Sequence, residues 1–126
     1  THCVCYTGTH DNETLHQFCT HLPPQTERYT RDYFSISASD SLEQTILQAG
    51  MGSKAQLFVA QMQDYLGLGS DARMNEMRDV LELPGSARTN VPGVAEGNWR
   101  WRMLPGAADD ALATAIAELT QKNHRV

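Results

Sequence analysis

The stretch Tyr6-Thr7-Gly8-Thr9-His10-Asp11-Asn12-Glu13-Thr14, YTGTHDNET, follows directly on the short apolar run CVCY. Gly8 and Asn12 alone would be enough to turn the chain after a strand. A histidine, a carboxylate and an amide side by side exceed what a turn requires. They read as polar groups held out toward a ligand.

Working outward, Cys3–Thr7 is strand-like: short, with β-branched and aromatic residues, and closed by Gly8. Glu13–His21 suits a helix, with Leu15 and Phe18 on one face and Pro23-Pro24 to stop it. Gln25–Phe34 offers a second helix, with Tyr29 and Tyr33 four apart. Asp40 with Glu43 fits a capping box, and Leu42, Ile46 and Ala49 then make a helical stripe ending near Gly50 or Gly52. Ala55–Met62, AQLFVAQM, is apolar on both faces, as expected of a parallel strand covered on both sides. Gln63-Asp64 follow where it should end. The segment from Gly67 to Arg102 is rich in Gly, Pro and Asn and reads mostly as loop. Asp109–Lys122 is a helix with Leu112, Ala115, Ile116 and Leu119 as its buried stripe. Its acidic start and basic end suit the helix dipole.

The order is strand, helices, strand, long loop, helix. It describes two βα units of a parallel α/β architecture. In both units a polar cluster falls at the carboxyl end of the strand, which is the edge where α/β barrels build their active sites.

Composition narrows the partners. The chain has 126 residues, the size of one ordinary domain, 40% hydrophobic content and a net charge of −5. An acidic chain whose clustered cations are only Arg100 and Arg102 argues against nucleic acid. No apolar run approaches the roughly 20 residues of a membrane span. Thr1–Gly8, THCVCYTG, lacks the pattern of a signal peptide, and reduced cysteines in the cytoplasm are the simplest reading. Cys3 and Cys5, two apart on a strand, point to one face and do not suggest a disulfide framework; they read as small buried strand residues.

Three motifs together, YTGTHDNET, then MQDYLGLGSDARMN, then VPGVAEGNWRWR, closely resemble the C-terminal part of the amylomaltases, or 4-alpha-glucanotransferases, of the alpha-amylase clan. The resemblance covers nearly the whole chain. It implies a (β/α)8 TIM barrel, of which residues 1–126 would be about the last two βα units and no complete independent domain. The implied substrates are maltooligosaccharides and other α-1,4-glucans. A glucan segment would pass to the 4-hydroxyl of an acceptor with retention of configuration. Retention uses a nucleophilic carboxylate, an acid/base carboxylate about 5–5.5 Å away and a covalent glycosyl-enzyme. No cofactor is implied. The family's third, transition-state-stabilising carboxylate maps onto Asp11, with His10 beside it as a donor to the same sugar. Its Arg-x-Asn-x-Pro-Gly segment maps onto Arg88, Asn90, Pro92 and Gly93, and Asn90 would line the glucan site. The nucleophile and the acid/base belong to earlier strands. The resemblance therefore makes this chain a C-terminal fragment, from a truncated reading frame, that requires the N-terminal part of the barrel.

Other readings stand beside these. Asp11 and Asn12 are also good helix caps. His2, Cys3, Cys5, His10, His16, Cys19 and His21 invite zinc, but the paired ligand spacing of structural zinc sites is missing. Trp99 and Trp101 could stack on sugars; the reading preferred here is a structural clamp, with Arg100 and Arg102 pairing with carboxylates. Two alternatives to the enzyme remain: a glucan-binding remnant without chemistry, and an unrelated metal or thiol protein.

The sequence also repeats itself. Met62–Asn75 and Met77–Asn90 match at seven of fourteen positions with an offset of fifteen, including Asp64/Asp79, Arg73/Arg88 and Asn75/Asn90. The family pattern has one such segment, so only one copy can occupy the site, and either Asn75 or Asn90 is the substrate-binding asparagine. Removing Glu76–Asn90 would give DARMNVPG, a closer match to the family.

Overall fold

The computed structural model describes residues 2–67 and 90–125. Two three-residue strands, β1 (Val4–Tyr6) and β2 (Leu57–Val59), pair in parallel with Val4 opposite Leu57, Cys5 opposite Phe58 and Tyr6 opposite Val59. Between them come α1 (Leu15–Thr20), α2 (Pro24–Phe34) and α3 (Leu42–Met51). A short helix, α4 (Met62–Tyr65), follows β2, and α5 (Asp110–Lys122) lies near the end of the chain. A parallel pair needs a crossover, and the three intervening helices provide it.

Alternation along the strands separates two faces. Val4, Tyr6, Leu57 and Val59 point to one side and are exposed, whereas Cys5 and Phe58 point to the other and are half-buried. The second face meets α3 so closely that a Cβ on Gly50 would lie 2.2 Å from the Phe58 ring. Leu15, Leu42, Leu47 and Met51 form the buried apolar core among the described residues. It sits where α1 packs on α3, and α1 also touches α4.

The helix ends explain themselves. Thr14 caps α1 by accepting from the Gln17 amide, Ser41 caps α3 by accepting from Gln44, and Asp109 caps α5 by accepting from Leu112. Pro24 opens α2 at a position where its missing N–H costs nothing. The carbonyls that end α3 meet a cation: Arg125 Nε donates to Met51 O, and the same guanidinium donates to Ser53 O at 2.8 Å. This docks the end of α5 against α3.

Several expectations change. β2 is shorter than Ala55–Met62, because Gln61 already adopts the extended cap position of α4. The cap of α3 is Ser41 rather than Asp40, whose carboxylate instead accepts from the Ser37 amide and hydroxyl, both at 2.7 Å. Those bonds hold it below the usual carboxylate range. Phe18 is exposed, since α1 presents Leu15 and Gln17 inward. The stripe on α5 is not buried: Leu112, Ile116 and Leu119 are half-covered and Ala115 is exposed, because α5 meets the rest through α3. Cys3 is exposed and Cys5 half-buried, and all three cysteines are free.

Candidate functional site

Residues 8–14 leave the carboxyl end of β1 and fold back on themselves before α1. Asn12 Oδ1 accepts from the Thr9 amide at 2.7 Å and the Thr9 hydroxyl at 2.9 Å, while the Asn12 amide donates to Thr9 O at 3.0 Å. Asn12 is thus the internal brace of the loop, and with Thr14 as the true cap, neither Asp11 nor Asn12 caps the helix. His10 and Asp11 lie between those braces. His10 Nε2 stands 3.3 Å from Asp11 Oδ2, and each side chain is about half exposed (52% and 52%).

A second loop brings a partner from far along the chain. Val91-Pro92-Gly93-Val94 forms a turn closed by the Val94 amide donating to Val91 O at 3.1 Å. Gly93 takes φ 82°, a left-handed value suited to glycine after a proline. Asn98 closes the wider loop: its Oδ1 accepts from the Val91 amide at 2.8 Å and its Nδ2 donates to Val94 O at 2.7 Å. These bonds set Asn90, whose Nδ2 donates to Asp11 Oδ1 at 2.5 Å. Both oxygens of Asp11 are therefore addressed, one by an amide and one by an imidazole. The paired residues His10 and Asp11 and the distant Asn90 meet at one point. Asn75 and Arg88 lie outside the described residues.

The tryptophans belong to the same place. The Trp99 ring rests against the His10 ring, with centroids 5.0 Å apart and planes at 41°. Trp99 holds φ 62°, which is costly for a bulky residue and tends to be kept where function fixes the geometry. Trp101 lines a shallow recess of about 780 Å³ together with Tyr6, His10, Asp11, Gln61 and Gln63. A second recess of about 460 Å³ shares Asp11 and is lined also by Thr7, Asn12, Glu13 and Phe18, among others. Among the described residues Arg102 meets no carboxylate; it donates to Trp101 O at 2.8 Å and Trp99 O at 3.4 Å. The segment is a backbone clamp, and it also offers the exposed Trp99 ring beside His10.

Beneath the loop lies a feature whose parts the sequence showed without a role. Asp64, 5% exposed, accepts from the Thr7 hydroxyl at 2.6 Å and from the Leu15 amide at 2.8 Å. Gln61 Nε2 donates to Thr9 O at 2.9 Å. Position at the end of β2 was the only signal for Asp64, and Thr7 carried none. Nearby, burial raises the Tyr65 hydroxyl above its usual range, and the Asp64 carboxylate adds to that. Burial, with the Glu43 carboxylate second, pushes the Cys19 thiol up to about 12.

Among the described residues, no helix is long and apolar enough to cross a membrane, and no three His, Cys, Asp or Glu side chains are grouped to hold a metal ion.

The chain itself has counterparts among known proteins. Residues 1–107 match the family model of the 4-alpha-glucanotransferases, glycoside hydrolase family 77. The chain is 36% identical over 127 aligned positions to the 4-alpha-glucanotransferase of Thermus thermophilus, covering 94% of this chain and 22% of that protein. It is 35% identical over 111 to the chloroplastic/amyloplastic enzyme DPE1 of Arabidopsis thaliana, covering 88% of this chain and 17% of the relative. Its fold matches an amylomaltase from Streptococcus agalactiae, solved in complex with acarbose, at a TM-score of 0.75 and 24% identity. That match covers 96% of this chain and 21% of the amylomaltase. The chain thus spans about a fifth of the length of these relatives. With the family model matched over most of its length, the chain belongs to the 4-alpha-glucanotransferase family.

Proposed function

We propose that this chain supplies the C-terminal part of a (β/α)8 barrel that transfers segments of α-1,4-glucans to the 4-hydroxyl of an acceptor sugar. The exposed face of β1 and β2 would be the barrel's interior side, and α1 to α3 its outer layer. In this reading Asp11 is the transition-state-stabilising carboxylate, His10 and Asn90 are sugar-binding donors, and Trp99 is an apolar wall. The remaining two carboxylates come from the rest of the barrel. One attacks the anomeric carbon as the acid protonates the leaving oxygen; the acceptor hydroxyl, deprotonated by that same group, then displaces the enzyme. Asp11 serves both steps by accepting hydrogen bonds from ring hydroxyls that strengthen as positive charge builds at the anomeric carbon.

The observation that carries the reading is the convergence of His10 and Asn90 on Asp11, with the Trp99 ring resting against His10. A helix-capping aspartate would not need an amide from residue 90. Coverage of a fifth of the relatives' length keeps a second reading in view, in which this chain alone binds glucan without chemistry.

The test uses a complete enzyme, made by replacing the matching segment of the Thermus thermophilus relative with this chain. Asp11→Asn is expected to lower kcat on maltotriose by about a hundredfold or more while changing KM little, because the lost interaction belongs to the transition state. A change in KM alone would reduce Asp11 to a simple substrate contact.

A further inference from the structure

We infer that Thr7 and Asp64 are positioning residues: one buried carboxylate pins both ends of the loop that carries His10 and Asp11. The inference rests on the proposed role of Asp11 and extends it to residues that touch no substrate. Thr7 is the last residue before the loop and Leu15 the first after it. Asp64 Oδ2 accepts from the Thr7 hydroxyl and Oδ1 from the Leu15 amide, so the two ends are joined through a single rigid group. Gln61, on the same turn as Asp64, adds a third tether at Thr9 O.

The chemistry favours this arrangement over accident. The Leu15 amide is one of the unpaired donors in the first turn of α1, and a carboxylate there is stabilised by the helix dipole. A 2.6 Å hydroxyl bond onto the buried Asp64 carboxylate, from the half-buried Thr7, is short and charge-assisted. Burying a carboxylate is costly unless every lone pair is used well. A structural role alone would be met by Thr14, which already caps α1. What Asp64 adds is a fixed distance between the end of β1 and the start of α1, and with it the placement of Asp11 over the recess. His10 travels with Asp11 on the loop but Asn90 does not, so a loop free to shift by an ångström loses the Asp11–Asn90 contact.

The sharpest perturbation is Thr7→Val, which removes the hydroxyl while keeping shape and strand propensity. In the hybrid enzyme described above, kcat on maltotriose is expected to fall between about tenfold and about a hundredfold, as for an ångström-scale misplacement. KM should stay within about twofold. Thr7→Ser restores the hydroxyl and should recover most of kcat. Leu47→Val, a core substitution away from the loop, serves as the control for lost stability: at a matched fall in melting temperature it should leave kcat unchanged. The inference is overturned if Thr7→Val leaves kcat intact, if Thr7→Ser fails to rescue, or if Leu47→Val lowers kcat as much. Asp11→Asn in parallel separates the two ideas. Full activity in Asp11→Asn sinks the proposed function itself, whereas an inactive Asp11→Asn beside a fully active Thr7→Val sinks only the staple.

Discussion

Gly50→Ala tests how tightly the helical layer is seated on the sheet. Two effects oppose each other. Alanine is favoured over glycine in a helix interior by about 0.8–1.0 kcal/mol. Against this, the new Cβ would lie 2.2 Å from Phe58 Cε2, 2.7 Å from Cζ and 3.0 Å from Cδ2. Carbon atoms rest at about 3.5–4.0 Å, so the ring would have to retreat by roughly 1.3 Å or α3 would have to lift. Overpacking of that kind costs about 1–3 kcal/mol. Phe58 is the middle residue of β2, paired with Cys5, which leaves the ring little freedom to move without disturbing the strand pair. The clash should win by about 1 kcal/mol, a factor of about five in the unfolding equilibrium. Urea unfolding of the hybrid enzyme, followed by far-ultraviolet circular dichroism, would show a lower midpoint. Adding Phe58→Leu should recover part of the loss, since the two sites are coupled by contact. A midpoint that rises in Gly50→Ala alone would show that α3 is free to move away from the sheet, and the packing argument would fail.

The 126-residue chain incubated alone with maltotriose should yield no glucose and no longer maltodextrins above a buffer control, because Asp11 and Glu13 share one loop and cannot act as a separated nucleophile and acid. Deleting Glu76–Asn90 in the hybrid enzyme should preserve or raise turnover at equal folded concentration. The product is the same sequence as deletion of Asn75–Thr89, so an asparagine still precedes Val91 and can meet Asp11; a clear loss would mean that the longer connection is itself required. With the Cys19 thiol pushed up to about 12 by burial, its reactive thiolate is scarce at pH 8, and iodoacetamide should label exposed Cys3 well before Cys19. Mass spectrometry showing the reverse order would contradict the packing around α1.

The elements were legible where a local rule decides them. Gly8 closing CVCY, Pro23-Pro24 after α1 and Asp109 before α5 each act within a few residues, and the structure places strands and helices accordingly. Where two local rules competed, the choice depended on tertiary neighbours. Asp40 and Ser41 are both good caps, but Asp40 is drawn away by Ser37 while Arg31 donates to the carbonyls of both Ser37 and Asp40. Burial was read least well, because periodicity shows which residues share a face and not whether anything covers it. Cys3 and the stripe on α5 are examples. At the site, His10-Asp11 stood out by composition, while Asn90 entered through resemblance to a family. Nothing in the local sequence says that residue 90 reaches residue 11. The Thr7–Asp64 bond is a pairing of two ordinary residues 57 apart and leaves no local trace.

The separation of the loop's partners along the chain also sets an order of events during synthesis. Asp64 emerges 49 residues after Leu15, and Asn90 emerges 79 residues after Asp11. At about 5–20 residues per second, the turn that braces the loop exists for seconds before the amide that completes the site has been made. Contacts this distant in sequence are slow to close, because chain entropy must be lost before the bond rewards it. The expected order is that Asn90 docks onto a carboxylate whose loop is already braced. A substitution that loosens the brace should show itself first as slow recovery of the Asp11–Asn90 contact on refolding, even where the final structure is unchanged.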